Sequence, residues 1–373
     1  MSTAPRDSVA FTVVVTVAVI LGALATLLVL ALSGAPGITL LATGLAALPV
    51  GPVLAAYLWL DRYEPEPKRN LLLGLLWGAF VATVAAVVVQ GLGGLVVGWG
   101  DTTSLAIVAP ITEEACKGLF LLLLLLWRRA ELDGILDGLV YAGMVGIGFA
   151  FTENILYLAA AYNGTDGLGP GGVEAVTTTF VLRCVFSPFA HPLFTAFLGV
   201  GIGLAVTARS RGVRFTAPVL GYLAAVLAHA LWNGSTVHGF GSFVLVYVVI
   251  MAPALIAMVG LAYWARETEA HVLRTALTDA ARRELIPATD IGWVVDLRAR
   301  RQARRYARDV GGPEAERAMR EYQQAAIELG YLHHRLLRGT APADWQLRGQ
   351  DFLGRIQAAR PRIAFPGQVV PQR

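Results

Sequence analysis

Residues 105–127 read LAIVAPITEEACKGLFLLLLLLW. Apart from its centre the stretch is apolar, and it exceeds the about 20 residues that a helix needs to cross a bilayer. Yet Glu113, Glu114 and Lys117 sit in the middle of it. A charge at that depth is costly and is by default a functional hypothesis. The stretch therefore predicts a membrane helix that carries chemistry.

Seven further apolar stretches flank it, at 9–32, 38–60, 71–99, 134–161, 178–208, 217–237 and 242–264. Long continuous apolar runs favour helices, because the strands of a membrane barrel alternate in polarity. The expected fold is all-α: about eight transmembrane helices followed by a mostly helical C-terminal tail. The first run is too long for the apolar region of a signal peptide and reads as a retained anchor.

The whole chain agrees with this. Of its 373 residues 56% are hydrophobic and only 15% charged, and mean hydropathy is +0.60. Soluble domains average about 25% charged residues, so a soluble globular enzyme is excluded. So are a disordered chain and, with only two cysteines, a disulfide scaffold.

The net charge of +4 conceals a split. Residues 1–265 carry 11 Lys and Arg against 13 Asp and Glu, whereas residues 266–373 carry 19 against 13. The expected division is a membrane domain, 1–265, and a basic cytoplasmic tail, 266–373, disordered after Arg360. Within the tail Arg298, Arg300, Arg301, Arg304, Arg305 and Arg308 cluster. A solvated helix face near a membrane is the favoured reading of that cluster. Contact with anionic lipid or a cytoplasmic partner is the alternative, and no nucleic acid is expected.

Loops 61–70, 128–133 and 209–216 contain Lys or Arg, while loops 33–37, 100–104, 162–177 and 238–241 contain none. The alternation places both termini in the cytoplasm of a multi-pass plasma-membrane protein. Glycine pairs four apart, Gly74/Gly78, Gly94/Gly98, Gly134/Gly138 and Gly199/Gly203, mark expected close helix contacts.

The ionisable residues within spans are Glu113, Glu114, Lys117, Glu153, Arg183, His191 and His229. At about 1.5 Å per residue, Glu113, Glu114, Glu153 and His229 lie roughly 12–14 Å below the outer edge. His191 lies about 20 Å along its span, between Pro188 and Pro192, which would kink the helix. Arg183 is expected near the outer edge, snorkelling. Glu113 and Lys117 share a helix face and can pair; His229 and Asn233 share another.

Two chemistries suit such a cluster. A carboxylate in a low-dielectric cavity can act as general base toward water, with a histidine and an amide stabilising the oxyanion. Alternatively Glu153, His191 and His229 could bind a divalent metal such as zinc with an open position for water. In either case Glu113 and Glu114 supply the water-activating carboxylate, Glu114 slightly less favoured. Glu153 and His191 orient water or ligate metal. His229 and Asn233 stabilise the oxyanion or complete a metal shell, and Lys117 tunes the glutamates. A proton- or ion-coupled transporter using the same residues as a relay is the alternative function.

These residues resemble the PrsW family of intramembrane proteases, itself similar to the superfamily of CAAX prenyl proteases and bacteriocin-processing enzymes. Glu113-Glu114-Ala115-Cys116-Lys117 is similar to its Glu-Glu-x-x-Lys motif, and Phe149 through Glu153-Asn154 to its Phe-x-x-x-Glu-Asn segment. His191 stands at the third motif, and His229 to Asn233 resembles the fourth, His-x-x-x-Asn or Asp. The loop Asp61-Arg62-Tyr63-Glu64-Pro65-Glu66-Pro67 resembles a further family feature. The resemblance covers about residues 55–240. It implies hydrolysis of peptide bonds in membrane-anchored proteins, such as an anti-sigma factor or similar regulator, near the outer membrane face. The family is commonly labelled metalloprotease and the superfamily suggests a glutamate mechanism; both remain open at this point.

Overall fold

The computed structural model describes residues 6–32, 36–164, 170–339 and 341–367. Parts of loops 33–37 and 162–177, which lack Lys and Arg, lie outside the described residues. Among the described residues the regular structure is all helical. Contacts divide the chain into one unit of residues 1–61 and 66–262 and a second of 62–65 and 263–373.

The first unit begins with α1 (Arg6–Leu32), α2 (Pro36–Leu60) and α3 (Lys68–Val97). Next come α4 (Ala109–Trp127), which follows a π-helical stretch Ser104–Val108, and α5 (Ile135–Asn163). α6 (Val173–Thr207), α7 (Arg211–Val237) and α8 (Phe240–Arg282) complete the series. Seven of these helices are long and apolar enough to span a bilayer. α4 is not among them, because Glu113, Glu114 and Lys117 dilute its apolar run; its length suits a crossing all the same.

α5 is the central helix: 89% of its apolar window is buried, against 6% for α8. Small residues allow this, since helices in lipid associate by close backbone packing. A Cβ on Gly138 would stand 2.1 Å from the Gly199 carbonyl oxygen of α6, and one on Gly78 1.9 Å from the Val145 carbonyl oxygen. The Gly94/Gly98 pair departs from expectation. Gly98 ends α3 in the left-handed conformation, φ 69°, its N–H bonded to the Gly94 carbonyl. That pair is a helix cap and not a packing seam.

α6 is broken. Its first part ends in a π-helical turn, Val181–Phe186, and the helix restarts at Ala190 after Ser187 leaves helical geometry. π-turns commonly occur at functional sites. Here the turn and the break bring Arg183 and His191 inward.

The second unit has a core of its own. The end of α8 packs with α9 (Ile291–Val295), α10 (Leu297–Leu337, kinked at Gly312) and α11 (Trp345–Ala359). Leu273, Leu277, Val294, Met319, Tyr322 and Phe365 are fully buried in it. Asp296 caps α10, accepting from the Arg298 and Ala299 N–H groups at 2.8 and 2.7 Å. Disorder after Arg360 is not what this unit displays. A turn at Arg360–Arg362 leads Ile363 and Phe365 into the core, and Arg360 Nε reaches Asp290 Oδ2 at 2.8 Å. Residues 368–373 lie outside the described residues.

Nor is the arginine cluster one solvated face. Arg300 is buried and donates to the carbonyls of Val294, Arg62 and Tyr63. Arg304 donates to Gln323 Oε1 at 2.6 Å.

Candidate active site

Five helices of the first unit supply polar groups to one buried cluster. α4 contributes Glu113, Glu114 and Lys117; α5 contributes Glu153 and Asn154; α6 contributes Arg183, His191 and Thr195. α7 brings His229, and α3 brings Gln90. Close backbone approach sets the register: a Cβ on Gly146 of α5 would lie 2.7 Å from the Pro192 backbone. Only glycine lets α5 sit this close to the turn that carries His191.

Lys117 stands at the centre, fully buried. Its Nζ donates to Glu114 Oε1 at 2.7 Å and to His191 Nδ1 at 3.0 Å, and lies 3.7 Å from Glu113 Oε2. Lys117 thus pairs more closely with Glu114 than with Glu113, the partner expected from spacing. The ammonium also lies 3.8 Å from the centre of the Phe149 ring.

Glu114 has no exposed surface. Oε1 also accepts from His229 Nδ1 at 3.0 Å, and Oε2 accepts from Thr195 Oγ1 at 3.0 Å. Both oxygens are therefore engaged, Oε1 by Lys117 and His229 and Oε2 by Thr195.

The two imidazoles have assignable tautomers. An ammonium can only donate, so His191 Nδ1 is an acceptor and Nε2 carries the proton. That Nε2–H donates to Glu153 Oε2 at 2.6 Å. A carboxylate paired to Lys117 can only accept, so His229 carries a proton on Nδ1. His229 is held in place by stacking on Phe194, with ring centres 4.6 Å apart.

Glu113 completes the arrangement. Gln90 donates to its Oε1 at 3.3 Å, and Oε2 is buried with no hydrogen-bond partner. Oε2 lies 3.7 Å from His229 Nε2. Oε2 is thus approached by His229 Nε2 and by the Lys117 ammonium, each at 3.7 Å.

Donor atoms of Glu113, His191 and His229 all lie within 4.8 Å of one another, and all three residues are buried. Two imidazoles and a carboxylate are a donor set used by zinc sites that keep an open position. The set differs from the expected Glu153, His191 and His229. Glu153 accepts on Oε2 from both Arg183 and His191, so Glu113 stands in its place.

Arg183 does not snorkel. Its Nε donates to Asn154 Oδ1 at 2.8 Å, and its guanidinium stacks 3.9 Å from the Tyr157 ring centre. Asn233 does not join the cluster either. It donates to the Leu105 carbonyl at 3.0 Å, tying α7 to the stretch that leads into α4.

A cavity of about 240 Å³ opens onto the cluster, lined by Thr83, Gln90, Ser104, Glu113, Glu153 and Tyr157 among others. Gln90, Thr195 and the role of Arg183 were missed in the sequence. Gln90 had a signal, as an amide within an otherwise apolar run. Thr195 had none, because threonine is ordinary in membrane helices.

The family model for the PrsW family intramembrane metalloprotease matches residues 66–258, a stretch that includes every residue of the cluster. The chain belongs to the PrsW family. It is 32% identical over 161 residues to the protein named Protease PrsW of Bacillus subtilis (strain 168), covering 43% of this chain and 67% of that one. It is 31% identical over 141 residues to Protease PrsW of Oceanobacillus iheyensis, covering 38% and 57%. With the Geobacillus kaustophilus Protease PrsW it shares 29% identity over 161 residues, covering 43% and 65%. The chain thus spans between 57% and 67% of these relatives' length. No solved structure matches it. The second unit lies almost wholly beyond the matched residues, so membership of PrsW speaks for the membrane unit alone.

Proposed function

We propose that this PrsW-family chain is an intramembrane metalloprotease. It would hydrolyse peptide bonds of membrane-anchored proteins, an anti-sigma factor or similar regulator being the expected type, near the outer face of the plasma membrane. Both termini would be cytoplasmic. Residues 1–265 would form the protease domain and 266–373 a cytoplasmic tail. The observation that carries the reading is the buried grouping of Glu113, His191 and His229, whose donor atoms all lie within 4.8 Å of one another.

Glu113, His191 and His229 would hold a divalent cation such as zinc. When bound, such an ion polarises a scissile carbonyl and makes water a stronger acid. The side chains supply the rest. Glu114 keeps the His229 proton on Nδ1 and so aims Nε2 at the site, the arrangement by which a carboxylate orients a ligating histidine. Lys117 balances the charge of Glu114, and Gln90 fixes the other oxygen of Glu113. His191 would offer Nδ1 on leaving Lys117 while keeping its Nε2–H on Glu153.

Glu153 is the general base in this reading. Arg183 and His191 occupy Oε2, which leaves Oε1 for the cavity. Oε1 takes a proton from water as the water oxygen attacks the carbonyl carbon. It returns that proton to the amide nitrogen as the C–N bond breaks. Arg183 keeps the carboxylate oriented between turnovers.

The test is cleavage in vesicles that contain the full chain, read as new peptide termini among membrane-anchored proteins. Glu113→Gln, Glu153→Gln and His229→Ala are each expected to abolish those termini. Full activity with both Glu113→Gln and Glu153→Gln would overturn the assignment.

A further inference from the structure

Six arginines crowd residues 298–308 of α10, in a segment that the protease reading does not use. The fold sorts them. Arg300 turns into the core, Arg304 bonds Gln323, and Arg308 lies 3.6 Å from Glu316. The other three, Arg298, Arg301 and Arg305, follow at intervals of three and four and share one helix face. Among the described residues their side chains have no hydrogen-bond or ion-pair partner, and all three are exposed.

These three guanidinium groups line one cavity of about 400 Å³, together with Tyr306, Asp309 and Pro366. Like charges held on one face repel one another, and Asp309 is the one acidic residue among the described residues that line the cavity. The C-terminal segment, fixed by Phe365 in the core, supplies the wall at Pro366. The cavity falls within the about 300–1,000 Å³ of small-ligand sites.

We propose that this cavity binds a phosphate-bearing anion. Guanidinium forks match phosphate oxygens bidentately, and three of them suit the several oxygens and the negative charge of a phosphate group. Asp309 would repel a second anionic group but accept a hydrogen bond from a hydroxyl. The ligand is accordingly a phosphate ester carrying free hydroxyls. Two sources supply that chemistry: the headgroup of phosphatidylglycerol, or a soluble polyol phosphate such as glycerol 3-phosphate. The proposal is independent of the protease reading.

The test uses the full chain in two arms. In phosphatidylcholine nanodiscs, glycerol 3-phosphate and inorganic phosphate are titrated by calorimetry. In neutral detergent, native mass spectrometry measures retained phosphatidylglycerol against phosphatidylcholine. R298Q/R301Q/R305Q is compared with a charge-matched control, R274Q/R282Q/R317Q, whose arginines are also exposed. The expected result is binding in at least one arm, weakened about tenfold or more in the first triple variant and unchanged in the control. Binding of glycerol 3-phosphate assigns the soluble source, and retention of phosphatidylglycerol alone assigns the lipid. Unchanged helicity by circular dichroism confirms that the variant is folded. No binding in either arm, equal loss in both triples, or binding of an RNA oligonucleotide alone would overturn the proposal.

Discussion

Replacing Lys117 by Met probes the buried network directly. Methionine keeps the length of the side chain and a favourable sulfur–aromatic contact with Phe149, but removes the ammonium that pairs with Glu114. Glu114 is fully buried, 2.7 Å from Nζ. Removing one partner of a buried pair destabilises by about 3–5 kcal/mol, because the remaining charge is uncompensated. At roughly 2–4 °C per kcal/mol, Tm should fall by about 6–20 °C. The double variant Lys117→Met/Glu114→Gln removes both charges and leaves an amide that still accepts from His229. Replacing a whole buried pair is often close to neutral. The double variant should therefore be more stable than Lys117→Met alone, with a coupling of about 2 kcal/mol or more. The assay is thermal unfolding of the purified chain in neutral detergent, followed by circular dichroism for wild type, both single variants and the double. If the losses simply add, Lys117 and Glu114 are not a mutually dependent pair, and the account of how His229 is oriented fails with them.

Four other outcomes are expected. Gln90→Ala removes the amide that holds Glu113 Oε1 and should lower metal affinity about 10- to 100-fold, as loss of an orienting partner does; competition with a chelator measures it. Gly146→Ala forces the Pro192 backbone away from α5 and should cost about 1–3 kcal/mol by overpacking, with Tm as the readout and a larger loss of cleavage than of stability. Arg183→Gln leaves His191 alone on Glu153 Oε2 and should lower the cleavage rate while leaving metal content unchanged, which separates the base from the ligands. Burial pushes the carboxyl of Asp61, just beyond α2, up from 3.8 to about 7, against the lowering effect of the Glu66 N–H. Its folded value exceeds its unfolded one, so the stability it contributes is present in full below about pH 4 and is lost as pH rises toward 7. Asp61→Asn, which keeps the acceptor for Glu66, should thus gain stability relative to wild type at pH 8 and not at pH 4, as denaturation at the two pH values will reveal.

Much of this molecule was legible from composition and spacing. Continuous apolar runs marked the helices, and charges within them marked Glu113, Glu153, His191 and His229 as residues that must meet. Spacing along one helix could not say which oxygen is free. Glu113 and Glu114 are adjacent, and only the positions of Thr195 and His229 on other helices leave Glu114 committed and Glu113 open. A straight helix would carry Arg183 toward the outer edge, whereas the π-turn and the break at Ser187 redirect it. Gln90 carries no charge, so the pattern of charges within the spans does not mark it. In the tail, a run of arginines reads as one surface, yet the helical period divides it into buried Arg300, the partnered Arg304 and Arg308, and the three that line a cavity. Phe365 follows a Pro- and Arg-rich turn, and such a turn resembles the start of a disordered end until its aromatic ring is seen in the core.

Metal content tests the central claim most directly. The full chain, purified in neutral detergent with trace zinc, is analysed by mass spectrometry of its metals beside Glu113→Ala, His229→Ala and Glu153→Gln. The account predicts about one divalent ion per chain in the wild type and in Glu153→Gln, with a loss of at least tenfold in the other two variants. An equal metal content in His229→Ala and wild type, or a metal-free wild type that cleaves at full rate, would contradict it.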